Sequence, residues 1–215
     1  MTAVVSGGAV AARTMLAASR LARAGGFTVV RLVDDDGLLR LQQEAAEREA
    51  GAVTAGVPPT GDGETRGYAD RWLATAVGGP VLDSLLCAPA VLAFLAALSG
   101  LAWQPNGRLG TYSYYRSPGH FLGAHRDVRG CELALITCIR DTGGAGGELI
   151  VYPGAARRRL AEVRADPDRG ALRVALAPGD SVILLGGIIP HLVTPLGEGH
   201  VRVVAPLCYQ LAATS

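Results

Sequence analysis

From residue 101 onward the sequence is a succession of short apolar, β-branched and aromatic segments punctuated by glycine and proline, and this texture constrains the fold most tightly. Segments at 110–115, 132–140, 149–152, 172–176, 181–185, 191–195 and 201–210 read as strands. Turn residues such as Pro178-Gly179-Asp180 separate them. Seven or more short strands joined by Gly/Pro turns must fold back on themselves to cover their apolar faces, so the expected architecture is a sandwich or barrel.

The first hundred residues read differently. Residues 9–24 carry apolar side chains at helical spacing, and 27–33 reads as a short strand. Asp34-Asp35-Asp36 offers cap chemistry for a helix running through Arg48. Residues 54–67 hold two prolines and four glycines and read as a loop, its length pointing to a lid or to disorder. Residues 70–77 and 81–98 are expected to be helices, the second so apolar that it should pack against the sheet. No internal repeat is present. The expectation is one compact domain, mainly β, with an N-terminal helical support region at 1–100 and the β core at 101–215.

Composition narrows the function classes. A chain of 215 residues is long enough to bury a substantial core. Its net charge of +1 provides no electrostatic footprint for nucleic acid or for an anionic membrane. All of the 20 basic residues are arginine, a bias read here as coding composition, not function. No apolar run reaches the ~18–20 residues of a membrane span. Arg13, Arg20 and Arg23 interrupt the N-terminal apolar stretch, so no signal-peptide core is expected and the chain is assigned to the cytoplasm. No nucleic-acid or membrane partner is expected. In that compartment Cys87, Cys131, Cys138 and Cys208 are expected to be reduced, buried apolar side chains. The spacing of Cys131 and Cys138 does not suit a zinc knuckle.

The chemistry concentrates at Ala124-His125-Arg126-Asp127 and at Pro190-His191. In extended backbone His125 and Asp127 project to the same side and can share one ion, and His191 from a distant strand adds a second imidazole. Two His and one carboxylate leave about three open positions on a six-coordinate metal, the pattern of non-heme Fe(II) oxygenases. Arg202 stands eleven residues beyond His191 inside an apolar run. It either faces solvent or turns inward as a two-pronged partner for a carboxylate.

From about Gly110 to the C-terminus the sequence resembles the 2-oxoglutarate/Fe(II)-dependent dioxygenases, closest to their prolyl 4-hydroxylase branch. The stretches that carry the resemblance are Tyr114-Tyr115, Pro118-Gly119, His125-x-Asp127 and Leu133-Ala134-Leu135-Ile136. Gly146-Gly147-Glu148-Leu149-Ile150-Val151-Tyr152-Pro153, the Pro178-Gly179-Asp180 turn, Pro190-His191 and Arg202 follow in family order. The resemblance implies a double-stranded β-helix (jelly roll) core and a metal site of His125, Asp127 and His191 holding Fe(II). It further implies 2-oxoglutarate as cosubstrate with O2, stimulation by ascorbate, and Arg202 on the far carboxylate of 2-oxoglutarate. Tyr115, ten residues before His125, falls where the family places a tyrosine that hydrogen-bonds the cosubstrate. Tyr112 and Tyr114 remain alternatives, because a one-residue register change reverses which face each occupies. Thr194 is a further candidate for the same pocket. The gap between His191 and Arg202 is longer than in animal-type prolyl hydroxylases, with Gly197-Glu198-Gly199 taking up the slack. His200 is therefore placed on a turn away from the metal, and His120 in a loop.

The resemblance implies an oxidoreductase that hydroxylates an aliphatic C–H, with succinate and CO2 as coproducts. Asp127 fills the coordination position that halogenating relatives leave open. Arg116, Arg126 and Arg129 flank the metal segment and are the candidates for a substrate carboxylate, favouring an amino acid or natural-product intermediate. Residues 155–173, with Arg157-Arg158-Arg159, read as an insertion near the opening. A peptidyl-prolyl hydroxylase and a non-catalytic jelly-roll binding or sensing protein are the alternatives. A cupin-type site would need His-x-His and a following Glu, which the sequence lacks.

Overall fold

The structure, a computed structural model, describes residues 14–57, 64, 66, 67 and 69–212. Its N-terminal elements are α1 (Arg20–Arg23), β1 (Phe27–Arg31), α2 (Asp35–Glu49), β2 (Val53–Val57), β3 (Arg71–Val77), α3 (Pro80–Cys87) and α4 (Pro89–Ser99). The strands β4 (Trp103–Pro105), β5 (Thr111–Tyr115), β6 (Phe121–His125), β7 (Leu133–Asp141) and β8 (Leu149–Val151) follow. A 3-10 turn (Pro153–Ala155), α5 (Leu160–Ala165), β9 (Leu172–Val174), β10 (Asp180–Leu184), β11 (His191–Val193) and β12 (Arg202–Leu211) complete the chain.

The strands form one curled antiparallel sheet in the order β1-β10-β7-β12-β5-β3-β6-β11-β8-β9, with β2 beside β3 and β4 beside β12. This is the expected jelly roll. Its strands lie within a residue or two of the expected bounds wherever turn residues frame them. Between β3 and β6 only Arg71↔Leu122 and Trp72↔Phe121 pair, so the sheet is narrowly joined where it turns.

Helices α2, α3 and α4 cover the outer face of the β12-β5-β3 region. Tyr112 and Tyr114 of β5 point outward into this layer, donating to Glu44 Oε1 at 2.8 Å and to the Ala45 carbonyl at 2.7 Å. Glu44 also accepts from the backbone N–H groups of Val81 and Leu82 at 2.8 and 3.0 Å. It thus caps α3 from a neighbouring helix, a role Gly79 at the N-cap cannot fill. Burial alone would raise the Glu44 carboxyl, but the hydrogen bonds from Val81, Tyr112 and Leu82 hold it below its ordinary range. Asp34 caps α2, accepting from the Gly37 N–H, as its position in the Asp34-Asp35-Asp36 run suggests.

Several expectations are corrected. Residues 70–77 are strand β3, not helix: the segment bonds to β5 on one side and β2 and β6 on the other, and ladder pairing overrides its modest helical preference. Residues 53–57, placed at the start of the loop, form β2; residues 58–63, 65 and 68 of that segment lie outside the described residues. The single helix at 81–98 is two, because Pro89 forces Ala88 to ψ 122° and bends the pair by 43°. Of the N-terminal helix, residues 14–17 are helical and Ser19 restarts it as the cap of α1; residues 9–13 lie outside the described residues. The division at residue 100 does not separate helices from sheet, since β1, β2 and β3 all belong to the sheet. Cys131 and Cys208 form a disulfide with Cα atoms 4.8 Å apart, not two reduced thiols; antiparallel pairing of β7 with β12 brings them together across 77 residues. Cys138 is buried as expected, whereas Cys87 is exposed.

Part of the insertion at 155–173 packs behind β6, the strand that carries His125. Ala155 and Val163 pack with Ala124, Ile150 and Tyr152, and Ala124 faces opposite to its neighbour His125 on β6.

Candidate functional site

His125 closes β6 and His191 opens β11, and the two are directly paired across the ladder, their rings 4.2 Å apart. Asp127 lies just past β6, where its N–H donates to the Gly186 carbonyl at 2.8 Å. Asp127 Oδ1 stands 3.6 Å from Nε2 of both histidines. Among the described residues these three form the only cluster able to hold a metal ion, with one ligand atom each and all within 4.8 Å of one another. The Nδ1 atoms face the carbonyls of Gly123 and Ile189 at 2.9 and 3.1 Å. Those contacts assign the proton to Nδ1 and leave each Nε2 lone pair for the ion.

Charge states agree with this arrangement. Burial and then the neighbouring His191 push His125 below the usual histidine range, towards the neutral ligand form. Burial also acts against charge on His191, but Asp127 outweighs it and raises that histidine. Burial would raise the Asp127 carboxyl, yet the two imidazoles hold it far below the ordinary carboxylate range, so it is ionised. Asp127 Oδ2 is buried and has no hydrogen-bond partner. An orphaned buried carboxylate oxygen beside two bare imidazole nitrogens is the donor set a divalent transition ion completes.

Two devices unseen in the sequence hold the carboxylate ligand in place. Arg66 donates to the carbonyls of Asp127, Val128 and Cys131 and pairs with Glu132 at 3.0 Å, fixing the segment between β6 and β7. Gly186 lies against Asp127 so closely that an added Cβ would stand 1.8 Å from Oδ2. Neither had a signal beyond an isolated Arg and one glycine of a Gly-Gly pair.

Arg202 is buried at the start of β12, opposite Tyr115 of β5 on one side and Asp141 of β7 on the other. Its Nη1 donates to the Gly147 carbonyl, and its Nε lies 3.9 Å from Asp141 Oδ2. Burial pushes the Tyr115 hydroxyl up to about 12 against the opposing Arg202 charge, so it is a protonated donor. A guanidinium and a neutral phenol sharing one buried face suit a carboxylate. Ser113, two residues along the same face of β5, lines a cavity of about 250 Å³ together with His125 and Asp127. Ser113 and Tyr115 thus face the same side of β5, about 7 Å apart along the strand.

Of the other candidates, Tyr112 is corrected: with Tyr114 it lies on the outer face, its hydroxyl held by Glu44. The Thr194 hydroxyl accepts from the Glu148 N–H at 2.9 Å, beside Gly147, and so ties the strand that receives Arg202. Arg126 is also corrected as a substrate residue: it is buried and donates to the carbonyls of Ile188, Ala155, Ala156 and Arg158. Arg116 pairs with Glu49 at 3.1 Å, next to the helical layer. Arg129 is exposed on the turn after the metal segment. His200 is off the metal, its Nε2 2.8 Å from Asp141 Oδ1. His120 is in a loop but buried, edge-on to Trp72 at 4.9 Å. A second cleft of about 390 Å³ lies at the Arg202 end and includes Asp141, Gly147 and His200.

Neither a family model nor a curated protein matches the sequence. Solved structures do. A Pseudomonas putida prolyl-4-hydroxylase superposes with TM-score 0.60 at 18% identity, over 94% of this chain and 98% of that one. The non-heme α-ketoglutarate-dependent carbocyclase SnoK of nogalamycin biosynthesis gives 0.67 at 18%, over 88% and 81%. HygX from Streptomyces hygroscopicus, solved with nickel, 2-oxoglutarate and hygromycin B, gives 0.60 at 14%, over 88% and 84%. The fold of this chain is therefore that of the Fe(II)/2-oxoglutarate oxygenases.

Proposed function

We propose that this chain is an Fe(II)- and 2-oxoglutarate-dependent dioxygenase that hydroxylates an aliphatic C–H of a small molecule. The observation that carries the reading is the buried His125–Asp127–His191 cluster with its orphaned carboxylate oxygen, in a sheet that also pairs buried Arg202 with Tyr115. Its fold neighbours include oxygenases whose names give small-molecule substrates, which supports the same reading.

His125, Asp127 and His191 would hold Fe(II), which supplies the redox chemistry that joins O2, 2-oxoglutarate and substrate. Overall, substrate C–H, 2-oxoglutarate and O2 give substrate C–OH, succinate and CO2, with one oxygen atom entering each of the two organic products. The protein's share is placement. Arg202 and the Tyr115 hydroxyl bind the far carboxylate and orient the keto-acid end towards the metal ligands. The Gly123 and Ile189 carbonyls fix the imidazole tautomers. Asp127 stays ionised and would be the third protein ligand, the place that halogenating relatives leave to chloride.

The test is succinate formation from 2-oxoglutarate with Fe(II) and ascorbate, followed by mass spectrometry of substrate turned over under 18O2. One labelled oxygen gained supports hydroxylation. Loss of two hydrogens without label would assign desaturation or ring closure, and no succinate with metal and keto acid bound would refute the oxygenase reading.

A further inference from the structure

Arg71 stands inside the metal cavity on the inner face of β3, in line with Ala69, Leu73 and Thr75, which also line it. Across the ladder it pairs with Leu122, three residues before His125. Ala55, Leu122 and Val128 are among the other residues that line this cavity.

The arginines near the site are engaged elsewhere: Arg66 on the Asp127 segment, Arg126 on four carbonyls, Arg164 on the Ala124 carbonyl, Arg116 on Glu49. Arg71 is different. Among the described residues it has neither an ion pair nor a side-chain hydrogen bond, although it is half-buried. A half-buried cation without a counter-ion is costly unless a ligand supplies one. In the oxygenase reading the cosubstrate is not that ligand, because its far carboxylate belongs to Arg202 of β12, which β5 separates from β3. Nor is the metal site, whose single carboxylate is taken up by the ion.

Resting on the oxygenase reading, we propose that Arg71 is the substrate anchor and that the substrate is a compact monocarboxylate held two-pronged by this guanidinium. The carboxylate sits at β3, and its aliphatic portion lies along Leu122 and Ala69 towards His125 and Asp127. A cavity of about 250 Å³ suits an amino acid or short aliphatic acid, smaller than a typical drug-sized ligand site of roughly 300–1,000 Å³. Specificity then comes from rejecting the uncharged analogue, which would leave Arg71 unpaired.

The test uses the full chain and does not depend on turnover. Phenylglyoxal labelling of arginines is followed residue by residue by peptide mass spectrometry, with exposed Arg129 as internal reference. Probes are short aliphatic acids and free α-amino acids, each against its methyl ester, plus a methyl phosphate arm. Labelling of Arg71 should slow at least ~10-fold with one or more acids and not with the esters, while Arg129 is unaffected. In the protein loaded with Fe(II) and 2-oxoglutarate, acids that protect should also stimulate succinate formation. Arg71→Gln should weaken that response ~30-fold or more, and Arg71→Lys by less. No protection by any acid, equal protection by esters, protection by methyl phosphate alone, or an Arg71→Gln response equal to wild type overturns the proposal. Failure to bind metal or keto acid refutes the oxygenase reading separately, because the labelling is also read on metal-free protein.

Discussion

Replacing Gly186 by alanine should damage metal binding without touching a metal ligand. The position follows β10, its carbonyl accepts from the Asp127 N–H, and it does not use a left-handed backbone, so alanine is tolerated by the main chain. The added methyl would stand 1.8 Å from Asp127 Oδ2 and 2.8 Å from Cγ. Relief to even 3.0 Å requires the carboxylate oxygen to move by more than an ångström. Metal–oxygen bonds tolerate only about 0.2 Å around their ideal length, so the third ligand is lost or badly strained. Disturbing a group that orients a ligand typically costs ~10–100-fold in affinity, about 1.4–2.7 kcal/mol. We expect Gly186→Ala to fall at or beyond the upper end of that range, approaching Asp127→Ala. Anaerobic Fe(II) or Co(II) titration against a chromophoric chelator measures it, and thermal melting of the metal-free protein checks that the fold survives. A folded Gly186→Ala protein with wild-type metal affinity would refute the argument and show that Asp127 does not need this contact to find the ion.

His125→Ala and His191→Ala should each abolish stoichiometric Fe(II) binding and succinate formation while leaving the melting temperature of metal-free protein little changed, since the jelly roll is held by its own core. Arg202→Ala should raise the 2-oxoglutarate requirement ~30-fold or more, with Arg202→Lys milder, read from succinate formation against keto-acid concentration. Glu44→Ala should cost about 2–4 kcal/mol and lower the melting temperature, because two N–H groups of α3 and the Tyr112 hydroxyl lose their acceptor. The depressed Glu44 carboxyl contributes stability above the ordinary carboxylate range and loses it as pH falls through its lower folded value; melting curves below about pH 4.5 should therefore be shallower in pH for Glu44→Ala than for wild type.

The candidate metal ligands His125, Asp127 and His191 were legible because they are side chains of rare type in a recognisable order, and strand periodicity says which way they point. Tyr115 could be separated from Tyr112 only by register, which the sequence does not carry; in the structure it is Tyr115 that stands opposite Arg202. Strand β3 was misread because an Ala-rich segment looks helical until neighbours on both sides supply its hydrogen bonds. That error hid Arg71, whose position in the cavity depends on its being strand. Arg126 was misjudged for the opposite reason: nothing local shows that four carbonyls from Ala155–Arg158 and Ile188 will converge on it. The Cys131–Cys208 link needed the β7–β12 pairing, a contact 77 residues apart.

That same link bears on selectivity for the keto acid. β12 begins at Arg202, and six residues on Cys208 is bonded to Cys131, in the segment that carries Asp127 and is clamped by Arg66. One strand, laddered to β7 along most of its length, therefore sets the spacing between the carboxylate anchor and the metal end. A span fixed in this way acts as a gauge. In the proposed enzyme, oxaloacetate, one carbon short, would reach either the metal or Arg202 but not both. 2-Oxoadipate, one carbon long, would have to buckle to fit between them.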